Sequence, residues 1–131
     1  MNKCENAVGN HKKGYNCAQA EVCVFADKLG YSEDELFRLT EAFGGGMGGT
    51  QGVCGAVSAM VFVVGGIKSF GIGKLPETNK KASYASAHEL MEKFESRVGT
   101  IMCGKIKTEN LCSCDECIEE AVKILEEFIE E

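Results

Sequence analysis

An all-α fold, a single-domain bundle of about five helices with a glycine-rich loop before the third, is what this sequence predicts. Three observations carry that prediction. Apolar residues recur at three- and four-residue steps in several segments, and most of these are bounded by capping residues in front and glycine behind. The one continuous apolar run has no partner strand visible elsewhere. The composition is 44% apolar, yet tryptophan is absent and only 8% is aromatic, so the core falls to Val, Leu, Ile, Met, Ala and a few Phe, a mixture that favours helices. A chain of 131 residues fits one domain over residues 1–131. Such a domain buries roughly two thirds of its unfolded surface and needs no disulfide staples.

The first helix is expected after Asn16, which can cap with Gln19 three residues on. Ala18, Val22, Phe25, Ala26 and Leu29 mark its apolar face, and Gly30 stops it. Residues before it, from Met1 to Gly14, read as a polar and frayed terminus. Ser32-Glu33-Asp34-Glu35 is a capping box for a second helix with Leu36, Phe37, Leu39, Ala42 and Phe43 at helical spacing, ended by Gly44. Six glycines in the nine residues from Gly44 to Gly52 then form a loop. The run Val53 to Val64 that follows has no period of its own; Ala, Ser and Met in its first half favour helix, which Gly65-Gly66 would weaken or end. Thr78 can cap a fourth helix carrying Ala87, Leu90, Met91, Phe94 and Val98, closed by Gly99. The last helix follows the capping box Ser113-Cys114-Asp115-Glu116. Ile118, Ala121, Val122, Leu125, Phe128 and Ile129 form its dry face, and Glu119, Glu120, Glu126 and Glu127 its wet one.

The formal net charge is -6 with no basic stripe, which disfavours nucleic acid and anionic membranes as partners. The longest nearly apolar stretch, Val53 to Ile67, is 15 residues with three glycines, short of the roughly 20 that span a bilayer. The polar N-terminal segment lacks the apolar core of a signal peptide, so the expected location is cytoplasmic. In that compartment eight cysteines point to metal ligation or thiol chemistry rather than a disulfide framework.

Their positions sharpen the expectation. Cys17 and Cys114 fall at the first position of expected helices, and Cys54 in the first turn after the glycine-rich loop. A thiolate there faces free backbone N–H groups and the positive end of the helix dipole, which pulls its pKa below the roughly 8.5 of free cysteine. Cys112, Cys114 and Cys117 form a C-x-C overlapping a C-x-x-C, with Cys103 nine residues earlier. Cys114 and Cys117 project from neighbouring positions of one helix face and are spaced to share a metal or form a dithiol couple. The pattern is not that of common zinc fingers. The glycine-rich loop lacks the Lys-Ser/Thr ending of a phosphate loop, so its glycines are read as permitting close backbone approach. Cys23 reads as a core residue, Cys4 as an exposed silent thiol, His88 as a surface group and His11 as part of a short solvated basic cluster. A cysteine–histidine dyad is not favoured, because no orienting Asn or Asp can be assigned.

Cys17 in Gly14-Tyr15-Asn16-Cys17-Ala18-Gln19-Ala20, Cys54 in Cys54-Gly55-Ala56-Val57-Ser58-Ala59, Cys103-Gly104, and Cys114 ahead of Ile118 and Ala121 resemble the C_GCAxxG_C_C family of redox-active proteins over about residues 10–130. Some members carry selenocysteine, which implies redox chemistry at that sulfur position. The resemblance implies that Cys17, Cys54, Cys103 and Cys114 are the signature cysteines, in catalytic or cofactor-binding roles. Ala59 stands where the family has glycine.

Two versions of a redox protein follow. Cys17, Cys54, Cys103 and Cys114 either hold an iron–sulfur cluster or another soft metal, or they cycle between dithiol and disulfide with an unknown redox partner. A different reading is a structural zinc module clamped by Cys103, Cys112, Cys114 and Cys117 that serves as a binding partner. A third is a carrier or sensor for metal or sulfur. Pairing of two copies through Val61 to Val64 is open.

Overall fold

The computed structural model describes residues 2–130. Its helices are α1 (Lys3–Lys12), α2 (Cys17–Val22), α3 (Ala26–Leu29), α4 (Glu33–Leu39), α5 (Gly55–Lys68), α6 (Lys80–Val98), α7 (Cys103–Thr108) and α8 (Cys114–Glu130). A 3-10 turn over Cys23–Phe25 joins α2 to α3 as one irregular helix, so seven helical units stand where about five were expected. The described residues hold no strand, only an isolated antiparallel bridge between Val53 and Met102.

Three of the capping signals act as read. Asn16 Oδ1 accepts from the Gln19 amide at 2.9 Å and Gln19 Oε1 from the Asn16 amide at 3.0 Å. The Ser32–Glu35 and Ser113–Glu116 boxes close in the same reciprocal way. Gly30 and Gly99 end α3 and α6 in the left-handed conformation, at φ of 75° and 116°.

Other expectations are corrected. The terminus before Gly14 is not frayed: Asn2 caps α1, whose Ala7 and Asn10 are buried where it packs along α8. So polar a segment has no apolar stripe to announce it. The short α7 likewise carries too few residues to show a period. Leu39 and Ala42 are exposed, because the second helix ends at Leu39 and a separate 3-10 turn covers Glu41–Phe43. Thr78 does not cap α6; Asn79 precedes that helix, and its side chain donates instead to the Lys68 carbonyl at 2.8 Å. Gly65 and Gly66 do not break α5, which runs on to Lys68, since Gly66 lets the helix lie directly against Leu29.

The centre of the fold is α5, packed chiefly against α2 and α6 and also against α8. Its Ala56, Val57, Ala59, Met60 and Val63 are fully buried, opposite Phe94 of α6 and Ile118, Val122 and Leu125 of α8 in one cluster. Each large side chain so buried contributes about 1.5–3 kcal/mol. The methyl of Ala59 is accommodated within this core. Among these residues sits one misfit: Glu21 of α2 is fully buried, and neither carboxylate oxygen has a hydrogen-bond partner among the described residues. Burial, aided by the nearby Cys54 sulfur, holds its carboxyl well above the ordinary 4.5.

Two glycines should respond in opposite directions. Gly46 has φ +74°, and a Cβ there would lie 2.7 Å from Cys103 Cβ and from the Gly52 nitrogen, so Gly46→Ala should cost about 2 kcal/mol or more in denaturant unfolding. Gly65 is helical with nothing within 4 Å, so Gly65→Ala should stabilise by about 0.5–1 kcal/mol. Equal shifts in both variants would contradict the backbone geometry. Glu21 should also set a pH dependence. Above pH 4.5 the unfolded chain loses this proton while the folded chain keeps it, so stability falls as pH rises, by up to about 1.4 kcal/mol per unit until the folded-state pKa is passed. Glu21→Gln should remove that slope between about pH 5 and about pH 7. The same slope in both proteins would place its origin elsewhere.

Candidate functional site

Backbone pairing assembles the site. The glycine-rich segment coils on itself through bonds from the Gln51 amide to the Gly45 carbonyl (3.0 Å) and from the Gly52 amide to the Gly46 carbonyl (2.8 Å). Its end then pairs with the segment after α6. The Cys54 amide donates to the Ile101 carbonyl and the Cys103 amide to the Gly52 carbonyl, each at 2.7 Å. This brings the two Cys-Gly pairs, Cys54-Gly55 and Cys103-Gly104, side by side. Gly55 has no side chain where a Cβ would stand 3.4 Å from Cys17 Cβ, so α2 and α5 approach closely at their cysteines. The start of α8 supplies Cys114 and, one turn on, Cys117.

The result is a cavity of about 150 Å³. Cys17, Cys54, Cys103 and Cys114 all line it, and Cys112, His11 and Lys107 are also in its wall. Cys17 and Cys114 stand at first helical positions as read, and so does Cys103 of α7; Cys54 is one residue earlier than expected, at the cap position of α5. Cys117 is buried against Cys54 and does not line the cavity. Cys4 and Cys23 lie outside it. Cys23 is buried as expected, its thiol 3.6 Å from the Glu33 carbonyl, whereas Cys4 is half-buried rather than exposed, with its thiol 3.8 Å from the Glu119 carbonyl. His88 is a surface group, 3.1 Å from Glu92.

The sulfurs differ sharply in electrostatics. The Cys117 thiol donates toward Cys54, whose pKa is lowered to about 7 despite burial. The Ala56 and Val57 amides at the start of α5 and the positive Lys107 act in the same direction, although the neutral side chain makes no formal cap hydrogen bond. Cys117 is correspondingly raised, by that same bond and by burial. Cys17 is also raised, first by burial and then by Cys114 and Cys54. The expected lowering at the start of α2 therefore does not occur: the helix is six residues long and the thiol faces other sulfurs.

Among the described residues, one group of three metal-ligating side chains has its ligand atoms within 4.8 Å of one another: His11, Cys17 and Cys114. This Cys/His cluster could hold a metal ion. Cys103, Cys112 and Cys117 join no such group among the described residues. His11, Asp115, Lys107 and Glu21 had no assigned role in the sequence reading. His11 Nδ1 lies 2.7 Å from Asp115 Oδ1 across 104 positions of chain, a pairing that no local pattern signals. Glu21 left one trace, a charged residue four positions after Cys17 on the same helix face as the first signature cysteine.

No curated protein and no solved structure matches the chain. A family model with the description "Putative redox-active protein (C_GCAxxG_C_C)" matches residues 15–128. That span takes in Cys17, Cys54, Cys103 and Cys114, so the resemblance noted in the sequence holds, and the chain belongs to the C_GCAxxG_C_C family.

Proposed function

We propose that the protein is a thiol–disulfide redox protein in which Cys54 is the attacking thiolate and Cys117 the resolving thiol. The observation that carries this reading is the asymmetry of the pair: a sulfur held near pKa 7 at the cavity wall, with a protonated thiol donating to it from the protein interior. A dithiol ready to act needs that combination, since the thiolate is the nucleophile and its partner must stay protonated until the second step. The four backbone and side-chain influences on Cys54 favour the anion at the pH of a reducing compartment.

In the first step Cys54 Sγ attacks one sulfur of a substrate disulfide, forming a mixed disulfide and expelling the other substrate sulfur as thiolate. Cys117 Sγ then attacks Cys54 Sγ, its proton passing to the departing second thiolate. The Cys54–Cys117 bond forms as the mixed disulfide breaks. Two electrons have moved from the protein dithiol to the substrate, and the reverse sequence reloads the protein from an external dithiol. The cavity of about 150 Å³ beside Cys54 would admit the substrate sulfur.

A second reading, electron transfer through a thiolate-ligated iron–sulfur cluster, is favoured by one observation: Cys17, Cys54, Cys103 and Cys114 all face the same cavity. A single ion on those four sulfurs is not favoured, because only two of them belong to a close ligand group. Anaerobic purification separates the readings. A coloured protein with iron and sulfide would support the cluster; a colourless one whose thiols vanish in pairs on oxidation would support the dithiol.

Peptide mapping after mild oxidation should find Cys54 joined to Cys117, and the alkylation rate of Cys54 should reach half its maximum near pH 7. Cys54→Ser should abolish turnover of a small disulfide, whereas Cys4→Ser, outside the cavity, should leave it unchanged. Equal losses in the two variants, or a disulfide that excludes Cys54, would defeat these assignments.

A further inference from the structure

His11 at the end of α1, Cys17 at the start of α2 and Cys114 at the start of α8 come from three separate helices, yet their ligand atoms lie within 4.8 Å of one another. Tetrahedral zinc with sulfur at about 2.3 Å and nitrogen at about 2.0 Å needs ligand atoms somewhat under 4 Å apart, close to the spacing these three side chains already have. Asp115 is the second and independent observation. Its Oδ1 lies 2.7 Å from His11 Nδ1 and both groups are only partly exposed, so the carboxylate fixes the imidazole ring at the edge of the sulfur pair. A carboxylate that orients a histidine is the usual outer-shell companion of a metal ligand. Each of the three ligand residues also lines the cavity, which leaves space beside them for a further ligand.

We propose that His11, Cys17 and Cys114 form a binding site for a soft divalent cation of the zinc class, with Asp115 as a positioning residue and the fourth coordination position open to the cavity. Two sulfurs and one imidazole nitrogen suit such an ion better than a hard cation, which would seek oxygen. An open position beside three protein ligands is the arrangement that accepts an exogenous ligand, and among sulfurs the class it selects is a thiolate or sulfide. Binding converts two thiols to thiolates and releases two protons, one each from Cys17 and Cys114, with no change of oxidation state. The site uses neither Cys54 nor Cys117, so it stands or falls apart from the dithiol reading.

Cobalt(II), as a spectroscopic stand-in for zinc, would be titrated into the reduced 131-residue chain without oxygen. One equivalent should bind, with thiolate-to-cobalt charge-transfer bands and the intense visible bands of a four-coordinate ion, and zinc should displace it. Cys17→Ser, Cys114→Ser and His11→Ala should each weaken binding at least tenfold. Asp115→Asn should weaken it by about 10–100-fold while leaving the band positions in place. Cys117→Ser and Cys103→Ser should bind as the unaltered protein does. X-ray absorption of the zinc-loaded, unsubstituted chain avoids any folding defect of the variants: two sulfurs and an imidazole nitrogen support the site. Three or four sulfurs, no binding, or full retention of binding in Cys17→Ser and Cys114→Ser would overturn it.

Discussion

The pairing of two short backbone segments, residues 51–54 and 101–104, is the constraint on which the site depends. Three hydrogen bonds, from Cys54 to Ile101, from Cys103 to Gly52 and from Gly104 to Gln51, tie the end of the glycine-rich coil to the loop after α6. Amides joined this way cannot drift by more than a fraction of an ångström without leaving buried polar groups unpaired, at about 1–3 kcal/mol each. The tie sets where α5 begins, and so places the Cys54 sulfur over the first amides of that helix. It also explains the glycines that matter: Gly46 leaves room for Cys103, and Gly55 for Cys17.

Burial then sorts chemically identical thiols into different roles. Desolvation is the main cause that pushes the Cys17 and Cys23 thiols up, and at Cys117 it adds to the bond with Cys54. Cys54 is buried too, at 5% exposure, yet its pKa is lowered because a thiol donor, two helix-start amides and a lysine outweigh the desolvation. A local helix-start argument treats Cys17 and Cys54 alike. What separates them is the charge and hydrogen-bond donors that other parts of the chain bring to each sulfur.

Glu21 belongs to the same account. An acid without a partner in the core is a cost that a helix of alanines and valine could have avoided, and it lies where the Cys54 and Cys17 sulfurs both feel it. Kept neutral, it adds no negative charge beside the Cys54 thiolate; ionised, it would oppose that thiolate by like-charge repulsion. The net charge of the acidic α8 matters less here, since Glu116, Glu120 and Glu127 sit on its outer side in capping or ion-pair contacts.

The sequence by itself determined the helical class, three capping boxes and two glycine stops, because these signals are local: a cap acts over three residues and an apolar stripe over a few turns; the four signature cysteines were legible through the family resemblance. It did not reveal α1 or α7, whose helices rest on docking and on too few apolar residues to show a period. Only the tertiary structure decided that Cys117 donates toward Cys54, that His11 joins Cys17 and Cys114, and that Asp115 lies against the imidazole. Those contacts join residues up to 104 positions apart, and their existence follows from how helices pack and not from any spacing along the chain.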